Sequence, residues 1–481
     1  MTGKAVNNEV LWTAEAAAQA TGGRTNSAWT VTGVSIDSRQ VNEGDLFVAL
    51  RGPNFDGHKF VAQALKTGAS AAMVETRPED VPPAAPLLIV ENAEKALTAL
   101  GLAARKRTQA KIIGVTGSVG KTGVKETLRF VLSSMGRCTA TEGNLNNHLG
   151  LPLSLARMAA ETDFGVFEMG MNHPGELIPL SEISQPHVAI ITTVEAVHAG
   201  NFESEEAIAD AKAEIFSGMD EAGTAILNRD NRHFDRLSAA ANKAGIGKII
   251  SFGASDKADV RLIQATADAE GSDITASIAG KEISYRISLP GSHWAINSLA
   301  VLAAVSALNL DIEKAAAMLA DTQPVKGRGE RHVVALPDGE TFTLIDESYN
   351  ASPASMRAAF EVLGATQPQE GGRRIAVLGD MLELGAAYAD YHAELARPLE
   401  AAGTDLVFTA GRGMAHLRDA LAPTMRGGHE STSDRLIPMV LTHLRAGDIV
   451  MIKGSAGSRM GLIVEALKSM ETAPGLAVNG G

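Results

Sequence analysis

The alternation of apolar and polar positions divides the chain into three stretches. In the first, Leu11 to Thr21 carries a helical spacing that stops at Gly22-Gly23. The runs TGVSID and GDLFVAL then read as strands, HKFVAQALKTGA as a helix, and SAAMVE and PLLIVEN as strands. A further helix begins at Ala93, and the polar, basic ARKRTQ behind it reads as a linker. From Lys111 onward the apolar runs KIIGVTG, FGVFEMG, VAIITTV and TAILN alternate with helical patterns such as KETLRFVLSSM. Such alternation implies βαβ units on a parallel sheet. Between Ala258 and Pro290 the runs shorten to ITASIAG and KEISYRISL, the pattern of an antiparallel hairpin sheet. Alanine-rich helices follow, from about Trp294 to Leu308 and on to Leu319. TQPVKGRGE, with its proline and two glycines, reads as a second linker, and RRIAVLGD, TDLVFTAG and DIVMIKGS beyond it as buried strands between helices.

Composition narrows the function classes. A chain of 481 residues suits about three domains, and a 45% hydrophobic share can fill several cores. Its 43 basic and 56 acidic residues leave a net charge of −13, which argues against nucleic acid as the partner while leaving room for a local phosphate pocket. The single cysteine, Cys138, has no partner for an internal disulfide and reads as a structural thiol in a reducing compartment. The start has no basic segment followed by an apolar core, and no apolar run nears a membrane span, so a soluble cytoplasmic protein without membrane contact is expected.

The strongest chemical signal is KIIGVTGSVGKTGVKE, an apolar strand running through Gly117, Ser118, Val119, Gly120, Lys121 and Thr122 into a helix. Glycines let backbone N–H groups turn toward a phosphate, and the helix N-terminus adds its dipole. Lys121 suits the outer phosphates and the Thr122 hydroxyl suits Mg²⁺. Val115 stands where the general P-loop pattern has a glycine. Glu168 and His198 follow strands of the same sheet, where open α/β sheets hold their ligands. Lys212 lies on an amphipathic helix, a position that equally suits a solvated lysine.

Taken together these segments resemble the Mur ligase family over nearly the whole chain. The resemblance implies three α/β domains: a small N-terminal UDP-substrate-binding domain over 1–106, a central ATP-binding domain of P-loop ATPase type with a parallel sheet over 107–324, and a C-terminal Rossmann-like domain over 325–481. TEGNLNNHLGLPLSL is similar to the family's asparagine-rich loop, which implies that Asn146 and Asn147 lie near phosphates and substrate. VHAGNFES and AKAEIF resemble its magnesium histidine, here His198, and its lysine carbamylated by CO₂, here Lys212. A carbamate is an anionic oxygen ligand suited to a hard cation, whereas an ammonium is not. GSHWAINSLAV implies Asn297 at the adenine, and GRGERH implies Arg328 as the hinge arginine at the nucleotide. LIDESYNASPASM implies Asp346, Tyr349 and Asn350 around ribose and phosphates, although the same residues suit a turn and helix cap. SIDSRQVNEGDLFVAL and NFDGHKFV imply Ser38, Arg39, Asp56, Gly57 and His58 as substrate contacts. Two departures stand out: Glu347 replaces the usual aspartate, and Ala456 follows Lys-Gly-Ser where the family has arginine, with Arg459 nearby.

VLGDMLELG with DESYNASP implies the member that joins D-alanyl-D-alanine to UDP-N-acetylmuramoyl-tripeptide with ATP and Mg²⁺, acting as a monomer. Its route is an acyl phosphate made by γ-phosphoryl transfer, with closure of the domains hinged near both linkers. The sister ligase that adds the third residue carries Asp-Asn-Pro-Arg, and no such run is present. A GTP switch would carry Asn-Lys-x-Asp, also absent, and DSRQVNEGDLFVAL argues against a folylpolyglutamate synthetase. A non-catalytic nucleotide-binding scaffold remains the rival from another class.

Overall fold

The computed structural model describes residues 9–195, 199–268 and 270–472, which form three α/β domains in succession. The first is built on a five-stranded sheet ordered Arg24–Thr25, Leu87–Ile89, Ala71–Val74, Asp45–Val48, Gly33–Ser35. The last four run parallel and the first is antiparallel to its neighbour. Asp45–Val48 and Ala71–Val74 are buried at every position, as strands covered on both faces must be. The helix expected from Leu11 begins at Ala14, where the Thr13 hydroxyl caps it by accepting from Ala16 N–H at 3.1 Å.

The first linker expected at ARKRTQ is not one. Helix Ala93–Arg107 runs through it, started by the Asn92 cap and ended by Arg105, Lys106 and Arg107, whose charges suit the negative end of the helix dipole. The Arg107 guanidinium lies 4.1 Å over the Trp12 ring and donates to the carbonyls of Leu11 (2.6 Å) and Met158 (2.9 Å). Arg105 donates to Ser184 O at 2.7 Å, and Trp12 Nε1 to Ala156 O at 2.9 Å. Leu153 and Ala156 of the next domain share one apolar core with Leu97 and Leu100. A hinge needs few buried contacts. This junction is instead a joint core, a packed contact where a hinge was expected.

The central domain carries a nine-stranded sheet, ordered Cys138–Ala140, Phe164–Glu168, Lys111–Thr116, Val188–Ile191, Thr224–Asn228, Lys248–Gly253, Val260–Ala267, Ser272–Ile278, Lys281–Ile287. Successive side chains serve opposite faces. Ile113, Val115, Val188 and Ile190 pack under helices Lys121–Ser133 and Ser292–Ala307, while Ile112, Ala189 and Ile191 pack under Gly150–Ala156, Leu177–Ser184 and Glu205–Ala213. The expected antiparallel hairpins are present but continue this same sheet, joined in parallel through Phe252 and Val260.

The third domain has six strands where three were expected, ordered Glu330–Ala335, Thr341–Glu347, Ile449–Lys453, Arg374–Gly379, Leu406–Ala410, Arg426–Glu430. The extra ones are the half-open edge strand Glu330–Ala335, its antiparallel partner Thr341–Glu347, whose short apolar run is broken by threonines, and the polar RGGHE at the other edge. Asp448, without solvent exposure, pins the centre of this sheet. It accepts from Arg373 N–H (2.9 Å) and Nη2 (2.7 Å) and from Arg445 N–H (2.9 Å). Asp448→Ala is expected to strand the Arg373 charge and to destabilise this domain by about 3–5 kcal/mol, read as a lower denaturant midpoint. Among the described residues no helix is long and apolar enough to cross a membrane.

Candidate active site

The site is built outward from the end of strand Lys111–Thr116. Gly117 follows at φ +144°, and a Cβ there would lie 1.9 Å from Thr192 Oγ1, so only glycine passes. Gly120, at φ +89°, forms the cap of helix Lys121–Ser133 and faces the Asn297 side chain, 3.0 Å from where a Cβ would sit. The Thr192 hydroxyl donates to Val119 O at 2.5 Å. Ser118 is fully engaged by the segment beyond strand Val188–Ile191: its N–H donates to Thr193 O (2.8 Å) and its hydroxyl accepts Glu195 N–H (3.0 Å). Lys121 folds back over the loop, its Nζ donating to Gly117 O at 2.6 Å. Burial lowers the Lys121 pKa, Glu168 opposes that shift, and the Arg328 charge adds to it.

Glu168 ends its strand 3% exposed and is held from three sides. Thr122 Oγ1 donates to Oε2 at 2.8 Å, Asn146 Nδ2 donates to Oε1 at 2.8 Å, and the Thr141 hydroxyl accepts Glu168 N–H at 3.1 Å. The three predicted residues Thr122, Asn146 and Glu168 thus meet at one point. The Asn147 Oδ1 accepts from Leu149 and Gly150 N–H, in the turn that leads into helix Gly150–Ala156.

Lys212, on helix Glu205–Ala213, is 2% exposed, which removes the reading of a solvated lysine. Burial pushes its pKa well below the ordinary lysine value, and repulsion from Lys121 pushes the same way. Among the described residues no carboxylate pairs with it. His198 lies outside the described residues. A hard divalent cation fits the donor set around Thr122 and Glu168, both oxygen ligands. Among the described residues no group of three or more His, Cys, Asp or Glu gathers at one point. Burial drives the Cys138 thiol up to about 12, as suits an inert structural cysteine.

On the N-terminal side, Arg39 is exposed and locked onto Asp37 through Nε (2.9 Å) and Nη2 (2.7 Å), with Ser38 between them. His58 is committed to the protein: Nδ1 donates to Asp56 Oδ1 at 2.8 Å and Nε2 accepts Glu75 N–H at 3.0 Å. It therefore shapes the loop rather than offering a free ring nitrogen. A Cβ on Gly57 would meet Leu50 O at 2.7 Å, which explains the glycine. Arg157 ties this domain to the asparagine-rich loop, donating to Val34 O (2.7 Å) and to Glu142 (3.0 Å).

On the C-terminal side, the Arg328 guanidinium lies 4.3 Å over the Tyr349 ring, and Tyr349 N–H donates to Gly327 O at 3.2 Å. Asp346 is buried and accepts Ser348 N–H at 2.9 Å, while Asn350 Oδ1 accepts Ala351 N–H at 2.9 Å. Sequence reasoning missed Lys453, which donates to Glu347 (3.1 Å) and Asn350 O (3.0 Å) and so occupies the departing Glu347. Its only signal is the Lys-Gly-Ser at the end of a buried strand. It also missed His293, whose buried Nδ1 has no hydrogen-bond partner among the described residues and whose pKa is lowered by burial. Beside it Ser292 donates to Glu361 of the C-terminal domain at 2.9 Å, and Gly200 N–H reaches Glu383 O at 3.5 Å. Arg459 is exposed in a left-handed conformation (φ +55°), away from these contacts.

Comparison with known proteins bears on the same regions. Three family models match in order: the Mur ligase family catalytic domain over 30–113, the Mur ligase middle domain over 115–305 and the Mur ligase glutamate ligase domain over 327–456. The chain is 33% identical over 456 residues to the UDP-N-acetylmuramoyl-tripeptide–D-alanyl-D-alanine ligase of Rickettsia prowazekii, covering 95% of this chain and 99% of that protein. It superposes on the crystal structure of MurF from Acinetobacter baumannii with a TM-score of 0.83 and 31% identity, covering 96% of this chain and 100% of the other. It also matches the MurF ligase of Thermotoga maritima in complex with ADP, with a TM-score of 0.74 and 25% identity, covering 92% and 98%.

Proposed function

The chain belongs to the Mur ligase family, and from that premise we propose that it joins D-alanyl-D-alanine to UDP-N-acetylmuramoyl-tripeptide at the expense of ATP. A carboxylate is a poor electrophile. Its oxygen attacks the γ-phosphorus, the bond to ADP breaks, and an acyl phosphate results. The dipeptide amine then attacks the acyl carbon and phosphate departs from the tetrahedral intermediate, leaving an amide and releasing one proton. The product is the UDP-linked pentapeptide, a precursor for peptidoglycan.

The single observation that carries this reading is Glu168, gripped by Thr122 of the phosphate loop and by Asn146 of the asparagine-rich loop. One carboxylate thereby ties the nucleotide side to the acceptor side. Lys121 and the free amides of the loop neutralise the phosphates, and positioning with charge neutralisation accounts for the catalysis. Thr122 and Glu168 would hold one Mg²⁺, and His198 with carbamylated Lys212 a second; bound there, the ions neutralise phosphate charge. The Lys212 amine is disposed toward carbamylation, because burial and the Lys121 charge both lower its pKa and so favour the neutral form. Its lone pair attacks CO₂, the C–N bond forms, one oxygen takes the charge and a proton leaves to water.

Residues 1–106 take the UDP end, with Ser38, Arg39 and Asp56 in contact and Gly57 and His58 shaping the loop. Residues 107–324 take ATP, with Asn297 at the adenine. Residues 325–481 bring Asp346, Tyr349 and Asn350 to the ribose and phosphates, swinging about Arg328. All these groups come from one chain, so a single copy can make up the site, and we read the protein as a monomer.

The test is phosphate release from ATP with UDP-N-acetylmuramoyl-tripeptide, with and without D-alanyl-D-alanine. Release that requires both, with pentapeptide formed, is the expected result. A response only to a single amino acid with the dipeptide-stage precursor would transfer the chain to the sister ligase. Bound ATP without turnover in either assay would leave a scaffold.

A further inference from the structure

Lys125 lies one turn along the phosphate-loop helix from Thr122 and is wholly shielded from solvent. Taking an ammonium out of water is unfavourable unless it finds close partners, and an apolar side chain of similar volume avoids that cost. Two partners are present. Nζ donates to the Thr141 carbonyl at 2.7 Å and to the Glu126 carboxylate, which Arg129 also bridges at 2.7 Å.

Thr141 is the link to the site. It is 1% exposed, its N–H donates to Val166 O at 3.1 Å, and its hydroxyl accepts Glu168 N–H at 3.1 Å. The chain leaving Thr141 runs through Glu142 to Asn146, which holds the other carboxylate oxygen of Glu168. Thr122, on the same helix as Lys125, closes the circuit onto Glu168 at 2.8 Å. Helix, Lys125, Thr141, Glu168 and Thr122 thus form one ring of hydrogen bonds. Thr122 and Asn146 grip the two carboxylate oxygens, but neither fixes the backbone that carries them. With Lys125 in place the backbone of Glu168 is referred to the same helix that presents the phosphate loop.

We propose that Lys125 is a positioning residue for the ligase reaction, setting the Glu168 carboxylate against Thr122 through Thr141. It touches neither substrate nor reacting atoms, and the inference rests on the ligase reading above. Partners that orient a metal ligand are worth about 10–100-fold in activity or metal affinity when lost. Lys125→Met in the full chain is therefore expected to lower kcat by about 10–100-fold and to raise the Mg²⁺ concentration for half-maximal rate by about tenfold. The KM for ATP should stay within about threefold, because Lys121 and the loop are untouched. Lys125→Gln keeps one neutral donor for Thr141 O and should recover part of both losses.

Steady-state phosphate release across a Mg²⁺ series, run where the variant is folded by circular dichroism, reads these values, and titration calorimetry of Mg²⁺ into the ADP-bound protein, without turnover, reads the same weakening of about tenfold. A Lys125→Met enzyme with a lower melting temperature but parental kcat and Mg²⁺ dependence would reduce Lys125 to a packing role and overturn the proposal. If that variant does not fold, Thr141→Val spares the lysine and removes the hydroxyl that receives Glu168 N–H. It is expected to raise the Mg²⁺ requirement likewise, and parental dependence there would equally overturn the proposal. A parent enzyme silent with both substrates sinks the ligase reading itself, whereas an active parent matched by its variants sinks this inference alone.

Discussion

Lys121→Ala is expected to lose ligation by at least about 10²–10³-fold in kcat while the protein stays folded. The magnitude is that of removing one charged group aimed at a developing charge in a site that excludes water. In the structure the ammonium makes its close contact with Gly117 O, a bond inside its own loop, so its removal leaves the cores untouched. The stability change should stay within about 1 kcal/mol, the net worth of one such hydrogen bond. A second effect follows from the neighbouring amine. Lys121 is one reason that the Lys212 pKa is low, so the alanine variant lets Lys212 hold its proton to higher pH. Its residual activity should therefore be more sensitive to falling pH than the parent's. Phosphate release, product detection and a thermal melt read all three, and near-parental turnover would remove Lys121 from the phosphate site.

The second large effect concerns Lys212. Lys212→Ala should abolish turnover to a similar extent, and short carboxylates such as formate or acetate should restore part of it by standing in for the carbamate. Lys212→Arg should be as inactive as alanine, since a guanidinium does not add CO₂ at neutral pH. Activity retained in the arginine variant would mean that a positive charge, and not a carbamate, is what the site needs. Labelled bicarbonate incorporated into the parent and not into the alanine variant would identify the modified residue.

The pH dependence has a definite sign. Only the unprotonated amine adds CO₂, and the addition releases a proton, so falling pH drives the carbamate back to ammonium. Activity should fall on the acid side as pH drops through the lowered pKa of Lys212. In CO₂-free buffer the same shift acts on stability. Between that lowered value and the ordinary 10.5 the unfolded chain binds more protons than the folded one, so stability rises with pH across this window. Below the window both forms are protonated and the folded state carries the full cost of a buried ammonium.

The strands of the central sheet were legible because a parallel strand covered on both faces is apolar at nearly every position, as KIIGVT is. The phosphate loop was legible for a related reason: its glycines and Lys-Thr are local requirements of one turn and one helix start. The edge strands of the third domain were not, since a strand half open to solvent, such as RGGHE, has no such signature. ARKRTQ misled because three basic residues suit a linker and a helix C-terminus equally, and the burial of Ala104 decides between them.

By itself, then, the sequence determined the order of the elements, the phosphate loop and the residue types available to the site, because each depends on neighbours along the chain. What only the tertiary structure decided is which of those residues meet. Thr122, Asn146 and Glu168 converge although 46 positions separate the first from the last. Asn147 and His58 each accept from a backbone amide, of Gly150 and of Glu75. Lys212 goes inside rather than out, Lys453 occupies Glu347, and Lys125 disappears beneath the loop it anchors. Each of these outcomes depends on burial and on partners distant in the chain, since desolvation decides whether a lysine is a surface charge, a neutral amine or a strut.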